Sequence, residues 1–79
     1  MKQIIIEDME AKDAVEVINF IKNGTIRRIE PTQDYDGKYT FTLVLEGIDT
    51  YTEGDSVFLR EDNRNLVLWP SDYASIKII

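Results

Sequence analysis

The chain has 79 residues, a net charge of −6 and neither cysteine nor histidine, and this composition excludes several classes of protein. A chain of this length forms one domain, residues 1–79, and its 43% hydrophobic content argues against disorder. Without cysteine and histidine there is no thiolate nucleophile, no imidazole base and none of the usual zinc or copper ligands. The excess of acidic residues disfavours direct binding to nucleic acids and to anionic membranes.

The first predicted element is a short strand over residues 2–7, with the sequence KQIIIE. Three consecutive isoleucines favour β structure, and the run is too short for a helix. It is also far too short for a signal peptide or a membrane span. We therefore expect a cytoplasmic protein.

The clearest helix is predicted over residues 13–23. Asp13 begins a D-x-x-E sequence that resembles a capping box. The apolar stripe extends backwards to Ala11, which offers an alternative start near Glu10. The Asn-Gly pair at its end predicts a cap with Gly24 in the left-handed conformation. Four apolar residues recur at helical spacing and predict the face that packs on the core: Ala14, Val17, Ile18 and Ile21.

Two strands are predicted next, over residues 25–30 and 38–46, with a turn at Asp36–Gly37 between them. The first strand alternates imperfectly and is followed by Pro31. This predicts a bulge or an early end, and a position at a sheet edge or strand terminus. The second strand alternates apolar and polar residues, which is typical of an antiparallel strand with one face in water.

The rest of the chain predicts a loop over residues 47–55 and then a hairpin of two strands, 56–60 and 66–69, around a polar turn. Pro70 ends the second strand and a helical turn follows it. Residues 76–79 are a candidate final strand beside the first one. The fold class is therefore α+β, a single helix packed on a mostly antiparallel sheet, in the order β-α-β-β-β-β with one further strand as an option.

Acidic residues give no coherent catalytic or metal site. The sequence DYDG at residues 34–37 resembles a calcium loop, but the ligand spacing of an EF-hand is not met, so we interpret it as a hairpin turn. Paired carboxylates lie at strand ends and turns, without a nucleophile, an oxyanion hole or a phosphate loop beside them. We predict no catalytic residue, no metal site and no cofactor. One or both of the adjacent Arg27 and Arg28 are expected to pair with nearby acids.

Trp69 is the most informative aromatic residue. Val67 and Trp69 share one face of their strand, and Leu66 and Leu68 share the other. Either the strand is covered on both sides or Trp69 is partly exposed, and an exposed tryptophan among charges is typical of a binding hot spot. Trp69 at the edge of the core is the alternative. We predict a contact region for a protein partner on this hairpin: Phe58, Arg60, Glu61, Asp62, Val67, Trp69 and Tyr73.

The sequence GDSVFLREDN at residues 54–63, followed by LVLWPSDY at residues 66–73, resembles the C-terminal part of small uncharacterised phage and prophage proteins. Those proteins run from Gly-Asp through an apolar strand, an acidic turn and a second strand to proline and an aromatic residue. The helix end FIKNG at residues 20–24 is similar as well. The resemblance covers about half of the chain and implies an origin in a mobile element. It implies no activity and no functional residue.

Together these observations favour a small protein-interaction module without catalysis. The resemblance to phage proteins implies that such a module would modulate a host or phage protein. One alternative is an acidic nucleic-acid mimic that inhibits a DNA-binding protein, because carboxylates on a rigid sheet can occupy a site shaped for phosphates. The other is a homo-oligomeric structural protein. If that protein is a homodimer, the isoleucines of residues 4–6 and 76–79 would extend a sheet across its two-fold axis.

Overall fold

A computed structural model describes residues 2–79 and shows an α+β fold. A short 3-10 helix, Pro70–Asp72, precedes the last strand. The α+β class is confirmed, although the chain has more strands than the predicted order. The described residues form one α-helix and seven strands: β1 (Gln3–Glu10), α1 (Ala11–Phe20), β2 (Thr25–Gln33), β3 (Tyr39–Glu46), β4 (Asp49–Glu53), β5 (Ser56–Glu61), β6 (Arg64–Leu68) and β7 (Ser75–Ile78).

The strands form two antiparallel sheets instead of the single predicted sheet. The larger sheet has the order β2-β3-β1-β7, and the smaller one has the order β4-β5-β6. The last strand pairs with the first, as predicted. However, β1 is a central strand with β3 and β7 on its two sides, so its isoleucines cannot extend a sheet into a second copy.

One hydrophobic core joins the helix and both sheets. Alternation along β1 sends Ile4 and Ile6 into the core and leaves Ile5 on the opposite face. The helix and the smaller sheet therefore cover the same face of the larger sheet, and its other face meets solvent. The buried residues of the core come from both sheets, from α1 and from the turn after β3: Ile4, Ile6, Met9, Ala14, Val17, Leu43, Leu45, Ile48, Val57, Leu59 and Leu68.

The helix begins earlier than its predicted range. It starts at Ala11, which the alternative start near Glu10 anticipated. Asp13 consequently lies inside the first turn, and Glu10 at the cap position makes no side-chain cap, so the capping-box prediction was wrong. One carboxyl oxygen of Asp13 is buried without a hydrogen-bond partner among residues 2–79. Burial, and then the nearby charge of Asp72, raise the pKa of Asp13.

The helix also ends earlier, at Phe20, and the chain is already extended at Ile21. Gly24 is not in the left-handed region, so the predicted glycine cap was wrong. The position needs glycine for another reason. An added Cβ would lie 2.5 Å from Cγ1 of Ile48 and 3.0 Å from the carbonyl oxygen of Glu46.

β2 forms one edge of the larger sheet and carries the predicted bulge. Its register against β3 shifts between Ile26 and Arg28. The strand runs on to Gln33, past its predicted end at residue 30. Pro31 is accommodated within it because an edge strand has a side on which no neighbour needs its missing N–H.

Ion pairs cross the solvent face of the larger sheet. Arg27 Nε lies 3.0 Å from a carboxylate oxygen of Glu46, and Arg28 pairs with Glu30. The predicted pairing of one or both arginines with acids is therefore confirmed, and it holds for both. Hydrogen bonds from Gln3 and then Arg27 lower the pKa of Glu46. These basic groups are therefore engaged within the sheet.

Residues 49–53 form β4, where we predicted part of a loop. This strand pairs along its whole length with β5, from Asp49 opposite Arg60 to Glu53 opposite Ser56. Its sequence DTYTE contains a single apolar residue, so hydrophobic periodicity does not reveal it. Pairing with a strongly patterned neighbour therefore determines its structure.

Candidate protein-binding surface

The predicted hairpin of β5 and β6 is confirmed, and its turn has a defined geometry. Asp62 and Asn63 are the two central residues, with φ of 49° and 64°. Two positive φ values are the mark of a type I′ turn, whose twist matches that of the flanking strands. The turn places Glu61 directly opposite Arg64.

Strand alternation sorts the residues of this hairpin onto two faces. Val57 and Leu59 of β5 point into the core, together with Leu68 of β6. Phe58 therefore points outwards, opposite Val67. Of the two alternatives for residues 66–69, the structure shows the partly exposed tryptophan, since Trp69 is 54% exposed.

The outward side of the smaller sheet carries a row of apolar side chains, which we call the aromatic face: Tyr51, Phe58, Val67 and Trp69. Tyr51 of β4 lies opposite Phe58, and Phe58 lies opposite Val67. The rings of Tyr51 and Phe58 stack with centroids 4.8 Å apart and planes 2° from parallel. Tyr51 remains 39% exposed. Aromatic side chains in a pre-formed, partly open array are the groups that dominate binding energy at protein interfaces.

The backbone that presents Trp69 is held on both sides. Its N–H donates to a carboxylate oxygen of Asp72 at 3.0 Å, and its carbonyl accepts the N–H of Asp72 at 2.9 Å. Pro70 adds a fixed φ to the same turn. The tryptophan therefore leaves the end of β6 on a restrained backbone, and restraint of this kind lowers the entropy cost of forming an interface.

The rim of the aromatic face is mainly acidic. Asp49 and Glu53 flank Tyr51 on the outward side of β4, by the alternation of that strand. Arg60 is opposite Asp49 and is the basic residue of this side of β5. A partner that suits this surface has an apolar centre and a basic surround.

Glu61 has an internal role. It is 6% exposed, and its carboxylate accepts the backbone N–H groups of Lys22, Asn23 and Gly24 at 2.8, 3.0 and 2.8 Å. Arg64 approaches the same carboxylate at 2.8 Å. We call this arrangement the Glu61 cradle, and it fastens the hairpin to the chain that leaves α1.

Arg64 completes the cradle from the other strand. Its Nη2 also donates to the carbonyl of Phe20 at 3.0 Å, which supplies a partner for the last turn of α1. The guanidinium lies 4.7 Å from the centre of the Phe20 ring. The smaller sheet and the helix are therefore joined by charged hydrogen bonds as well as by the core.

The cradle makes stability depend on pH. Burial acts to raise the pKa of Glu61, but the three backbone hydrogen bonds and Arg64 outweigh it and lower the pKa below its ordinary value of 4.5. The folded protein therefore binds this proton less tightly than the unfolded chain. The contribution of Glu61 to stability is present above pH 4.5 and is lost as the pH falls through the lowered pKa.

We expect the urea midpoint of the wild type to fall on acidification below pH 4.5. The difference from Glu61→Gln should narrow over the same range, because the glutamine variant has no charge to lose at this site. Urea titrations of both proteins at a series of pH values measure it. If the difference in urea midpoint between the two proteins stays constant down to the lowest pH of the series, the cradle does not depend on the charge of Glu61.

The structure brings four of the seven predicted contact residues to the aromatic face or its rim: Phe58, Arg60, Val67 and Trp69. The other three lie elsewhere. Glu61 is buried in its cradle, and Asp62 accepts a hydrogen bond from the Asn23 side chain. Tyr73 is partly buried against the core, and burial raises its pKa. These three residues therefore do not belong to the aromatic face.

Tyr51 belongs to the aromatic face but was not among the predicted contact residues, because the sequence placed it in a loop. Its signal was weak but real: a tyrosine with a threonine on each side, between two glycines, is compatible with a short strand. The stacking on Phe58 depends on the β4–β5 register, which only the fold establishes.

The DYDG segment is a hairpin turn between β2 and β3, as we interpreted it. One oxygen of Asp34 accepts the N–H groups of Asp36 and Lys38, each at 2.9 Å. Across residues 2–79, no group of three or more metal-ligating side chains is gathered. Within that same part of the chain, no helix has the length and apolar character needed to cross a membrane.

No protein-family model matches this chain, and neither the curated proteins nor the solved structures contain a significant match to it.

Proposed function

We propose that the protein is a non-catalytic interaction module that binds a protein partner through the aromatic face. The observation that carries this is a row of side chains, Tyr51, Phe58, Val67 and Trp69, aligned on the outward side of one small sheet with Trp69 half exposed. A small domain has no structural need for such a row on its solvent side. In line with the resemblance to phage proteins, the proposed partner is a cytoplasmic host or phage protein.

The chemistry of the face defines the partner. Its centre needs an apolar or aromatic surface that can desolvate Trp69. Its edge needs lysine or arginine side chains that meet Asp49 and Glu53. The apolar centre would supply most of the affinity, and the acidic rim would mainly speed the encounter and make it sensitive to salt.

The test compares three baits in a pull-down from bacterial lysate: the wild type, Trp69→Ala and Tyr35→Ala. Tyr35 is a fully exposed aromatic in the β2–β3 turn, away from the aromatic face, and serves as the matched control. We expect a protein held by the wild type and by Tyr35→Ala but lost from Trp69→Ala. With that protein purified, Trp69→Ala should weaken binding by about 30-fold or more.

The single tryptophan of the chain also gives a direct readout, because its fluorescence should change when the partner covers it. Binding that survives Trp69→Ala and disappears only at high salt would contradict this proposal. It would instead favour the acidic nucleic-acid mimic, whose contacts are carboxylates. Equal loss of binding in both alanine variants would also contradict it, since Tyr35 is remote from the face.

A further inference from the structure

A second surface of the molecule, separate from the aromatic face, lies at the β2 edge of the larger sheet. β2 is the longest strand, and nearly all of its residues are exposed. Beside it, an apolar groove with a volume of about 280 Å³ opens between α1 and the sheet, lined by Ala11, Ala14, Val15, Ile18, Ile29 and Phe41. Val15 and Ile29 are 55% and 46% exposed. An open strand edge can take up another strand, and an apolar groove beside it can hold that strand's side chains.

The backbone of β2 can accept such a strand at its centre. A proline within a sheet has its nitrogen on the side away from the neighbouring strand, so residue 31 points its nitrogen to the open edge. Ile29, two residues earlier, points its N–H and carbonyl the same way. The edge therefore offers a full donor and acceptor pair at Ile29 and an acceptor alone at Pro31.

The charges of β2 are self-complementary about Ile29. If a second β2 runs antiparallel with Ile29 opposite its own copy, Arg28 of each chain lies opposite Glu30 of the other. Arg28 and Glu30 already form an ion pair within one chain, on the solvent face of the sheet. Two copies in this register would form a square of four alternating charges, a network that stabilises more than isolated pairs do.

The apolar side of the strand is self-complementary as well. Ile29 lies opposite the buried Leu43 in the register, so it is on the helix side of the sheet. In the same arrangement the two Ile29 side chains meet, and the two grooves join under Val15 and Ile18 of both helices. The exposed apolar residues of α1 and β2 would then share one small core across the axis.

We infer that the protein forms an antiparallel homodimer through β2, with the two-fold axis at Ile29, and that the occupant of the groove is the same groove of a second copy. The dimer extends the larger sheet across the axis. Pro31 has no N–H to donate between the two β2 strands, and this loss occurs once on each side of the axis. The bulge between Ile26 and Arg28 disturbs the other end of the strand. The association is therefore reversible and dependent on concentration.

Cysteine cross-linking tests the axis. The chain has no cysteine, so Ile29→Cys introduces one thiol per copy. Opposite residues of antiparallel strands have Cα atoms about 5 Å apart, within the range of a disulfide. Gln33→Cys is the matched control. It lies on the same strand and side, but its two copies would be about 27 Å apart at about 3.4 Å per residue. Mild oxidation should give a disulfide dimer for Ile29→Cys and not for Gln33→Cys.

Charge exchange tests the register. In sedimentation velocity over a micromolar to millimolar series, the wild type should rise from 9.2 kDa towards twice that mass. Glu30→Arg should shift the dissociation constant by at least tenfold, and Arg28→Glu combined with Glu30→Arg should restore it. Circular dichroism checks that each variant is folded.

Three outcomes would overturn the inference. They are a wild type that stays monomeric over the whole series, equal cross-linking of the two cysteine variants, and a dimer that tolerates Glu30→Arg. A dimer lost instead on Lys77→Glu would place the interface at the opposite edge, β7. Because the aromatic face lies on the other sheet, failure here leaves the pull-down result for Trp69→Ala unaffected.

Discussion

Replacing Glu61 with alanine is expected to lower the free energy of unfolding by about 3 kcal/mol. The variant removes the acceptor of three backbone N–H groups, those of Lys22, Asn23 and Gly24. It also leaves Arg64 partly buried without its carboxylate. Unpaired polar groups of this kind account for most of the cost, because they lose water on folding and gain nothing in return.

Urea unfolding followed by circular dichroism measures this change. Glu53→Ala is the control, since Glu53 is an exposed acid of the neighbouring strand and should change stability by less than about 0.5 kcal/mol. Glu61→Gln keeps one acceptor oxygen and should fall between the two. If Glu61→Ala is no more harmful than Glu53→Ala, the carboxylate is not what holds the hairpin to α1.

The arginine should be coupled to the glutamate. Arg64→Met keeps a long apolar side chain near Phe20 but removes the charge. In a double-mutant cycle, Arg64→Met should cost less in the Glu61→Ala protein than in the wild type, because its carboxylate partner is already gone. Additive effects would mean that Arg64 acts mainly through the Phe20 carbonyl.

Elements whose pattern reflects burial could be predicted from the sequence. β3 alternates apolar and polar residues except at Val44 because one face is in the core, and the β5–β6 hairpin has a polar turn between apolar strands. The bulge in β2 was readable from the mismatched parity of Ile26 and Ile29. In these cases local sequence and tertiary packing favour the same structure.

The features that could not be predicted from the sequence are those that depend on tertiary contacts. The end of α1 looks like an Asn-Gly cap, yet Glu61, far along the chain, takes the N–H groups that would have continued it. The local sequence predicts Glu61 to be a surface acid, because nothing near it in the sequence shows that residues 22–24 will surround its carboxylate. Tyr51 lies in a strand that depends on its neighbour for its structure. Four of the seven predicted contact residues therefore lie on the aromatic face or its rim, and the buried environment of Glu61 and the strand that carries Tyr51 could not be predicted from the local sequence.

The close packing of Gly24 against Ile48 leads us to expect a second large change in the free energy of unfolding. Gly24→Ala is expected to destabilise the protein by about 2 kcal/mol, because the new methyl group would lie 2.5 and 2.9 Å from two carbon atoms of the Ile48 side chain. Ile48 is 3% exposed and packed in the core, so it cannot move away freely. The backbone itself is not the obstacle, since Gly24 has no positive φ.

Gly54→Ala is the matched control for this clash. Gly54 has a φ of 62°, and an added Cβ would meet nothing within 4 Å, so alanine there costs only about 1 kcal/mol of backbone strain. Shortening Ile48 to alanine separates the two causes. Ile48→Ala should reduce the cost of Gly24→Ala and leave that of Gly54→Ala unchanged, as measured by urea unfolding of the six proteins in the two double-mutant cycles. An unchanged cost at Gly24 in the shortened background would show that the glycine is needed because of the Glu46 carbonyl oxygen, 3.0 Å from the added Cβ, and not because of Ile48.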